Sequence, residues 1–225
     1  MPAATATDAV KASRRERLRR ARFYGIFDLA YAPPERAEDF CKQMLAGGVD
    51  VIQLRAKGSP EAEVAALAAR LQPVVAEQGG LFIVNDWPNV ARSVQADGVH
   101  LGQDDLSVAA ARGLLAPGQL VGKSTHSLAQ ARAAAVEMPD YIGVGPLYAT
   151  ATKPDYQPVG LELIGQVNAD PSVAELPRFC IGGVKLKRLP EILGAGAERV
   201  VIVSALLLSD DLTAYARGVR VLLDS

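Results

Sequence analysis

The strongest constraint on this chain is an alternation that begins at Arg22 and repeats eight times. Short β-rich runs at 23–28, 49–55, 81–85, 98–101, 120–124, 141–144, 178–181 and 199–204 are each followed by an alanine-rich segment of helical period. Those segments are 35–46, 60–77, 88–95, 107–115, 127–136, 160–168, 185–193 and 210–223. In the second, Val64, Leu67, Leu71 and Val74 recur at spacings of three and four, which gives one apolar face. The β-rich runs are nearly continuous in apolar character, as parallel strands covered on both faces require. Eight such units close most economically as a single-domain (β/α)8 barrel of the α/β class, with a doubly wound open sheet as the alternative. Helix-start chemistry stands at Ser59-Pro60 and Ser107.

Residues 1–22 lie outside the repeat and form an N-terminal extension to the 23–225 domain. Six arginines between Arg14 and Arg22 give it a basic character, expected as a helical or frayed arm with solvated side chains. The formal net charge of −1 offers no general attraction for nucleic acid or an anionic membrane. No apolar run is long enough to span a bilayer. Cys41 and Cys180 have no metal or redox spacing and sit among apolar residues, so buried free thiols in a reducing compartment are expected.

In barrels of this kind the chemistry collects at the C-terminal ends of the strands. The stretch 143–158, GVGPLYATATKPDYQP, places Thr150, Thr152 and Lys153 after the sixth run, hydroxyls and a cation suited to an anion. Arg55 and Lys57 end the second run and could share a multiply charged anion with Lys153. Asp86 and Asp105 end the third and fourth runs. Together they could hold a hard divalent cation such as Mg²⁺, and singly each could be a helix cap. After the seventh and eighth runs, Gly182-Gly183 and Val203-Ser204 suit phosphate, because glycine lets backbone N–H groups approach an anion. His100 reads as a hydrogen-bonded barrel residue and His126 as a group orienting a loop. Trp87 is expected to pack at the barrel mouth.

In order and spacing, VIQLRAK, FIVND, ADGVHLGQDDL, VGKSTHS, YIGVGPLYATATKPD, VGLELI, IGGV and VVIVSAL resemble the motifs of the thiamine-phosphate synthase family across 23–223. The resemblance implies a Mg²⁺-assisted transferase. It would join an aminopyrimidine diphosphate to a hydroxyethylthiazole phosphate and release diphosphate. It further implies that Gln53, Arg55, Lys57, Asn85, Ser124 and Lys153 meet the pyrimidine diphosphate, the first segment running through Leu54 and Ala56. Arg55, Lys57, Ser124 and Lys153 would be the catalytic contacts. Asp86 and Asp105 would bind the metal. Thr150, Ala151 and Thr152, with Gly183, Val203 and Ser204, would hold the thiazole phosphate. The partners implied are these small molecules, neither nucleic acid nor membrane, in the cytoplasm, and a homo-oligomer is compatible with them. Ala56, Ala149, Ala151 and Lys123 depart from the usual motif, Lys123 as an ion-pair partner or as added pocket charge. A thiazole tautomerase using His126 and a non-catalytic phosphate-binding barrel are the alternatives.

Overall fold

The computed structural model describes residues 6–150 and 157–225. Eight parallel strands, β1 (Phe23–Asp28), β2 (Val51–Arg55), β3 (Leu81–Asn85), β4 (Gly98–Leu101), β5 (Leu120–Thr125), β6 (Tyr141–Val144), β7 (Arg178–Cys180) and β8 (Val200–Ile202), pair in chain order into a closed barrel. The open-sheet alternative is thereby excluded. Helices α2 (Ala37–Ala46), α3 (Glu61–Glu77), α4 (Pro88–Ser93), α5 (Val108–Leu114), α6 (Leu128–Glu137), α7 (Glu162–Asn168), α8 (Leu189–Gly194) and α10 (Leu212–Asp224) follow the strands in turn. A further short helix, α9 (Ser204–Leu207), comes directly after β8. That helix corrects the reading of 199–204 as one strand. At Val203 the backbone turns to φ −120°, ψ −95°, which ends the strand and starts the helix.

Alternation along each strand separates two cores. In β2, Val51 faces the lumen, while Ile52 and Leu54 pack against the helices. In β3, Leu81 and Ile83 face inward, and Phe82 and Val84 face outward. The lumen is filled by Tyr24, Ile26, Val51, Leu81, Ile83, Leu120, Tyr141, Phe179 and Val201. The inward position therefore falls on Asp28, Gln53, Arg55 and Asn85 where β1, β2 and β3 reach the C-terminal mouth. Cys41 and Cys180 are free and buried, and burial pushes both thiols up to about 12.

The N-terminal face is closed by α1 (Ala6–Arg20). Leu18 and Ala21 are buried as part of the lumen cluster. Three aspartates in the αβ loops repeat one device there. Asp50 accepts from Phe23 N at 2.9 Å and Arg220 Nη1 at 2.9 Å. Asp97 accepts from Phe82 N at 2.9 Å and Arg14 Nε at 2.8 Å. Asp140 accepts from Val121 N at 2.8 Å, Arg15 Nε at 2.8 Å and Arg112 Nη2 at 3.0 Å. Arg17 donates to the carbonyls of Gly79 and Gly80. The expectation of solvated arginines therefore holds for Arg20, which pairs with Glu16 on its own helix and is largely exposed, and is corrected for Arg14, Arg15 and Arg17, and for Arg22, whose Nε donates to the Glu198 carbonyl at 3.2 Å. Their partners lie in loops distant in sequence, which helical periodicity alone does not reveal.

Candidate active site

A pocket of about 100 Å³ opens at the C-terminal mouth. Among its lining residues are Gln53, Arg55, Asn85, Ser124, Thr150, Gly183, Val203 and Ser204, all expected at the site. His100, His126, Tyr24, Tyr141 and Lys185 line it as well. Leu54 and Ala56 are buried in the outer core, so their side chains face the helices and only their backbone belongs to the rim. Ala151, Thr152 and Lys153 lie outside the described residues.

Arg55 is held from β1. Its Nη1 donates to Asp28 Oδ2 at 2.7 Å, and Asp28, only 1% exposed, also accepts from Ala30 N at 3.0 Å. Asp28 is a positioning residue that sequence reasoning missed. The available signal was a lone carboxylate at the end of the apolar run FYGIFD, the position equivalent to Arg55 in β2.

At the rim, Lys57 Nζ lies 2.7 Å from Asp86 Oδ2, and this hydrogen bond raises the lysine above its ordinary value. Asp86 has φ 65°, in the left-handed region that apart from glycine mainly asparagine and aspartate adopt, and functional loops concentrate such conformations. Its carboxyl is in hydrogen-bond contact with Asp105. Burial first, and then the Asp105 carboxylate, raise Asp86 above the usual range, against the pull of Lys57. Asp105 is only partly buried, and that burial by itself would raise it. Even so, the hydrogen bonds from Asp86 and Gly102 N, with Lys57 and Lys123 nearby, hold it below the usual range. Neither aspartate caps a helix. The α5 cap is Ser107, and α4 follows Trp87 with no side-chain cap. Two acidic groups pressed together next to a cation make a hard-oxygen donor pair. Among the described residues no group of three or more His, Cys, Asp or Glu side chains forms a complete metal cage. The pair instead fits Mg²⁺, which retains water and takes substrate phosphate oxygens as its remaining ligands.

The opposite side of the mouth is built from backbone. Leu147 N donates to Ile181 O at 2.9 Å and Tyr148 N to Gly182 O at 3.0 Å, so the loop after β6 lies directly on the loop after β7. Gly182 and Gly183 have φ of 96° and 67°, and a Cβ on Gly182 would fall 2.3 Å from Pro146 Cα. No other residue fits there. Thr150, Gly183, Val203 and Ser204 thus converge next to the start of α9, the usual place for a phosphate in barrels of this type. His126 Nδ1 contacts the Gly145 carbonyl, and the backbone N–H of His126 donates to Gln130 Oε1 at 2.7 Å, in keeping with a loop-orienting role. Lys123 faces outward and is 4% exposed. Its Nζ reaches the Leu106 carbonyl at 3.4 Å, so it adds charge behind Asp105 and does not line the pocket. Trp87, expected at the barrel mouth, instead packs partly buried against the outer core and does not line the pocket.

A closed parallel barrel with a glycine-built backbone cradle facing a cation-and-carboxylate rim defines a (β/α)8 protein whose mouth suits anionic ligands. Residues 23–206 match the family described as thiamine monophosphate synthase. A thiamine-phosphate synthase of Mycobacterium bovis is 44% identical over 213 residues, 91% of this chain and 95% of that protein. One from Gloeobacter violaceus is 42% identical over 197 residues, and the matched region covers 88% of this chain and 56% of that longer protein. The solved thiamine phosphate pyrophosphorylase of Pyrococcus furiosus superposes with a TM-score of 0.82 at 29% identity, covering 93% of this chain and 97% of its own. A 3-hexulose-6-phosphate synthase, at 20% identity and a TM-score of 0.66, shares the fold alone. The chain belongs to the thiamine monophosphate synthase family and is an enzyme of thiamine phosphate synthesis.

Proposed function

We propose that this enzyme condenses 4-amino-2-methyl-5-hydroxymethylpyrimidine diphosphate with 4-methyl-5-(2-hydroxyethyl)thiazole phosphate, or its carboxylated form, to give thiamine phosphate and diphosphate, the carboxylated form losing its carboxyl group as carbon dioxide as well. The observation that carries the reading is the division of the mouth. Arg55 and the Lys57–Asp86–Asp105 cluster stand on one side, and Thr150, Gly183, Val203 and Ser204 on the other. One side suits a diphosphate and the other a monophosphate, as two separately phosphorylated substrates require.

In this reading, Gln53, Asn85 and Ser124 hold the pyrimidine ring over the lumen, with Leu54 and Ala56 contributing backbone. Arg55, kept in place by Asp28, and Lys57 hold the diphosphate. The bond between the pyrimidine methylene carbon and the diphosphate oxygen breaks, and its electron pair leaves on diphosphate. Cationic groups fixed where that charge develops lower the barrier without reorganising. The amino group of the ring stabilises the resulting pyrimidinylmethyl cation. The thiazole nitrogen then gives its lone pair to form the new carbon–nitrogen bond, so no protein nucleophile is needed. Mg²⁺ bound by Asp86 and Asp105 would neutralise the diphosphate further. Thr150, Gly183, Val203 and Ser204 would hold the thiazole phosphate so that its nitrogen faces the methylene, an arrangement whose benefit is orientation. Ala151 and Thr152 would extend that cradle, and Lys153 would join the diphosphate site. Two buried free thiols suit a cytoplasmic setting.

The test is a coupling assay with both substrates, in Mg²⁺ or in EDTA, reading thiamine phosphate as fluorescent thiochrome. Metal-dependent product is expected. Absence of product from folded protein would overturn the synthase reading in favour of a tautomerase or a binding-only barrel. Product insensitive to EDTA would overturn the metal assignment.

A further inference from the structure

The lumen holds a chain of hydrogen bonds that the roles above leave unused. Gln53 Nε2 donates to the Tyr24 hydroxyl at 2.8 Å, and the Tyr24 and Tyr141 hydroxyls lie 3.0 Å apart. The Tyr141 hydroxyl lies 3.1 Å from His100 Nδ1, and His100 Nε2 lies 2.9 Å from Ser124 Oγ. The five residues come from β1, β2, β4, β5 and β6, and all line the pocket. Their placement is enforced by packing. A Cβ on Gly122 would fall 2.1 Å from Tyr141 Cζ and 2.6 Å from His100 Nδ1, so only glycine leaves room for the contact. The Tyr141 ring stacks on His100 with centroids 5.5 Å apart, and Phe179 meets it edge-on at 5.6 Å.

A phenol has one proton to donate. Burial pushes Tyr24 and Tyr141 far above their ordinary values, so both keep that proton at neutral pH. A hydroxyl between two partners donates to one and accepts from the other, which makes the order propagate. With Gln53 donating, Tyr24 donates to Tyr141 and Tyr141 to Nδ1. With Nδ1 accepting, His100 carries its proton on Nε2 and donates to Ser124 Oγ. At one end the Gln53 carbonyl oxygen is left to accept from a ligand. At the other, the Ser124 proton is left to donate. The opposite order requires all five groups to reverse together.

We infer that Tyr24, Tyr141 and His100 are positioning residues that couple the hydrogen-bonding polarity of Gln53 to that of Ser124. The pocket thereby favours a flat nitrogen heterocycle with an amino donor toward Gln53 and a ring-nitrogen acceptor toward Ser124. This rests on the reading of Gln53 and Ser124 as contacts of the pyrimidine. It adds a reason for ring selectivity that lies in the lumen behind Gln53 and Ser124.

Tyr141→Phe keeps the ring packing and removes the central link. The test varies pyrimidine diphosphate and thiazole phosphate in turn and uses inorganic diphosphate as an inhibitor. A rise of about tenfold in the KM for pyrimidine diphosphate is expected, the worth of about one hydrogen bond. The KM for thiazole phosphate and inhibition by inorganic diphosphate should be unchanged. Tyr24→Phe should reproduce the effect, and the double variant should be no worse than either single one, because a chain broken once is already uncoupled. If Tyr141→Phe fails to fold, Tyr24→Phe carries the same comparison. Equal losses for both substrates, weaker inhibition by inorganic diphosphate, additive effects or no effect would each overturn the inference. Thiamine phosphate made by the wild type in the same assay keeps any such failure separate from the synthase reading. A wild type that makes none overturns both.

Discussion

The two ends of the barrel use the same residue types to opposite effect. At the N-terminal face, Asp50, Asp97 and Asp140 each accept a strand N–H and at least one arginine, so their charges are answered within the chain. At the C-terminal face, Asp86 and Asp105 face each other with Lys57 alongside, and Asp86 is held at φ 65°. One end closes the fold, and the other keeps two carboxylates in contact at an open rim. Stability and activity should therefore respond to substitution at different ends.

Asp86→Asn should show the largest effect. Loss of one carboxylate from the rim is expected to lower turnover about 10²- to 10³-fold at fixed Mg²⁺, the range found when a group stabilising developing charge is removed. The melting temperature should hold or rise, because asparagine tolerates the positive φ and the carboxylate pair is gone. The sign with pH follows from the raised value of Asp86. A carboxyl raised in the fold favours folding while it is protonated in both states, and that contribution is lost as pH rises through its folded value. Relative to wild type, the variant should thus gain stability as pH rises above the ordinary carboxylate range and lose that advantage below it. Paired turnover and melting curves across pH would check this, and a variant with wild-type turnover would remove the distinction between the two ends.

Asp140→Ala should do the reverse. It strips Val121 N, Arg15 and Arg112 of a carboxylate whose side chain is only 3% exposed, at an expected cost of about 2–3 kcal/mol. Urea melts would show the loss, while KM and turnover per folded molecule should stay at wild-type values. A fall in turnover with stability retained would mean that the closed end reaches the chemistry.

Arg20→Ala is the smallest change. Arg20 and Glu16 form an i,i+4 pair with side chains 79% and 51% exposed, worth less than about 0.5 kcal/mol. A melting shift larger than its neighbours' surface substitutions produce would show that α1 depends on its exposed face as well as on Leu18.

Much of this was legible along the chain. Eight strand-helix units are a local pattern of period and composition, and the barrel follows from their number. The polar residues that end the runs, Gln53, Arg55, Asn85, Ser124 and Ser204 among them, could be placed at one mouth because parallel strands all end on the same side. His100 could be read as a hydrogen-bonded barrel residue for the same reason, since it falls on an inward position. What escaped was pairing. Asp28 with Arg55, Arg14 with Asp97 and the Tyr24–Tyr141 contact join residues 27, 83 and 117 positions apart. Asp86 and Asp105 each read equally well as helix caps until the caps were found at Ser107 and nowhere on the α4 side chains.

The sequence by itself determined the class of fold, the family and which strand ends carry polar residues, because periodicity and motif spacing are properties of neighbours along the chain. Tertiary structure alone decided which charges are answered and which are left for a ligand. It also decided that the arginine-rich extension is a lid on the closed end, and that Gln53 and Ser124 are joined through the lumen. Those outcomes depend on barrel closure, which brings strands remote in sequence within hydrogen-bond distance across the lumen.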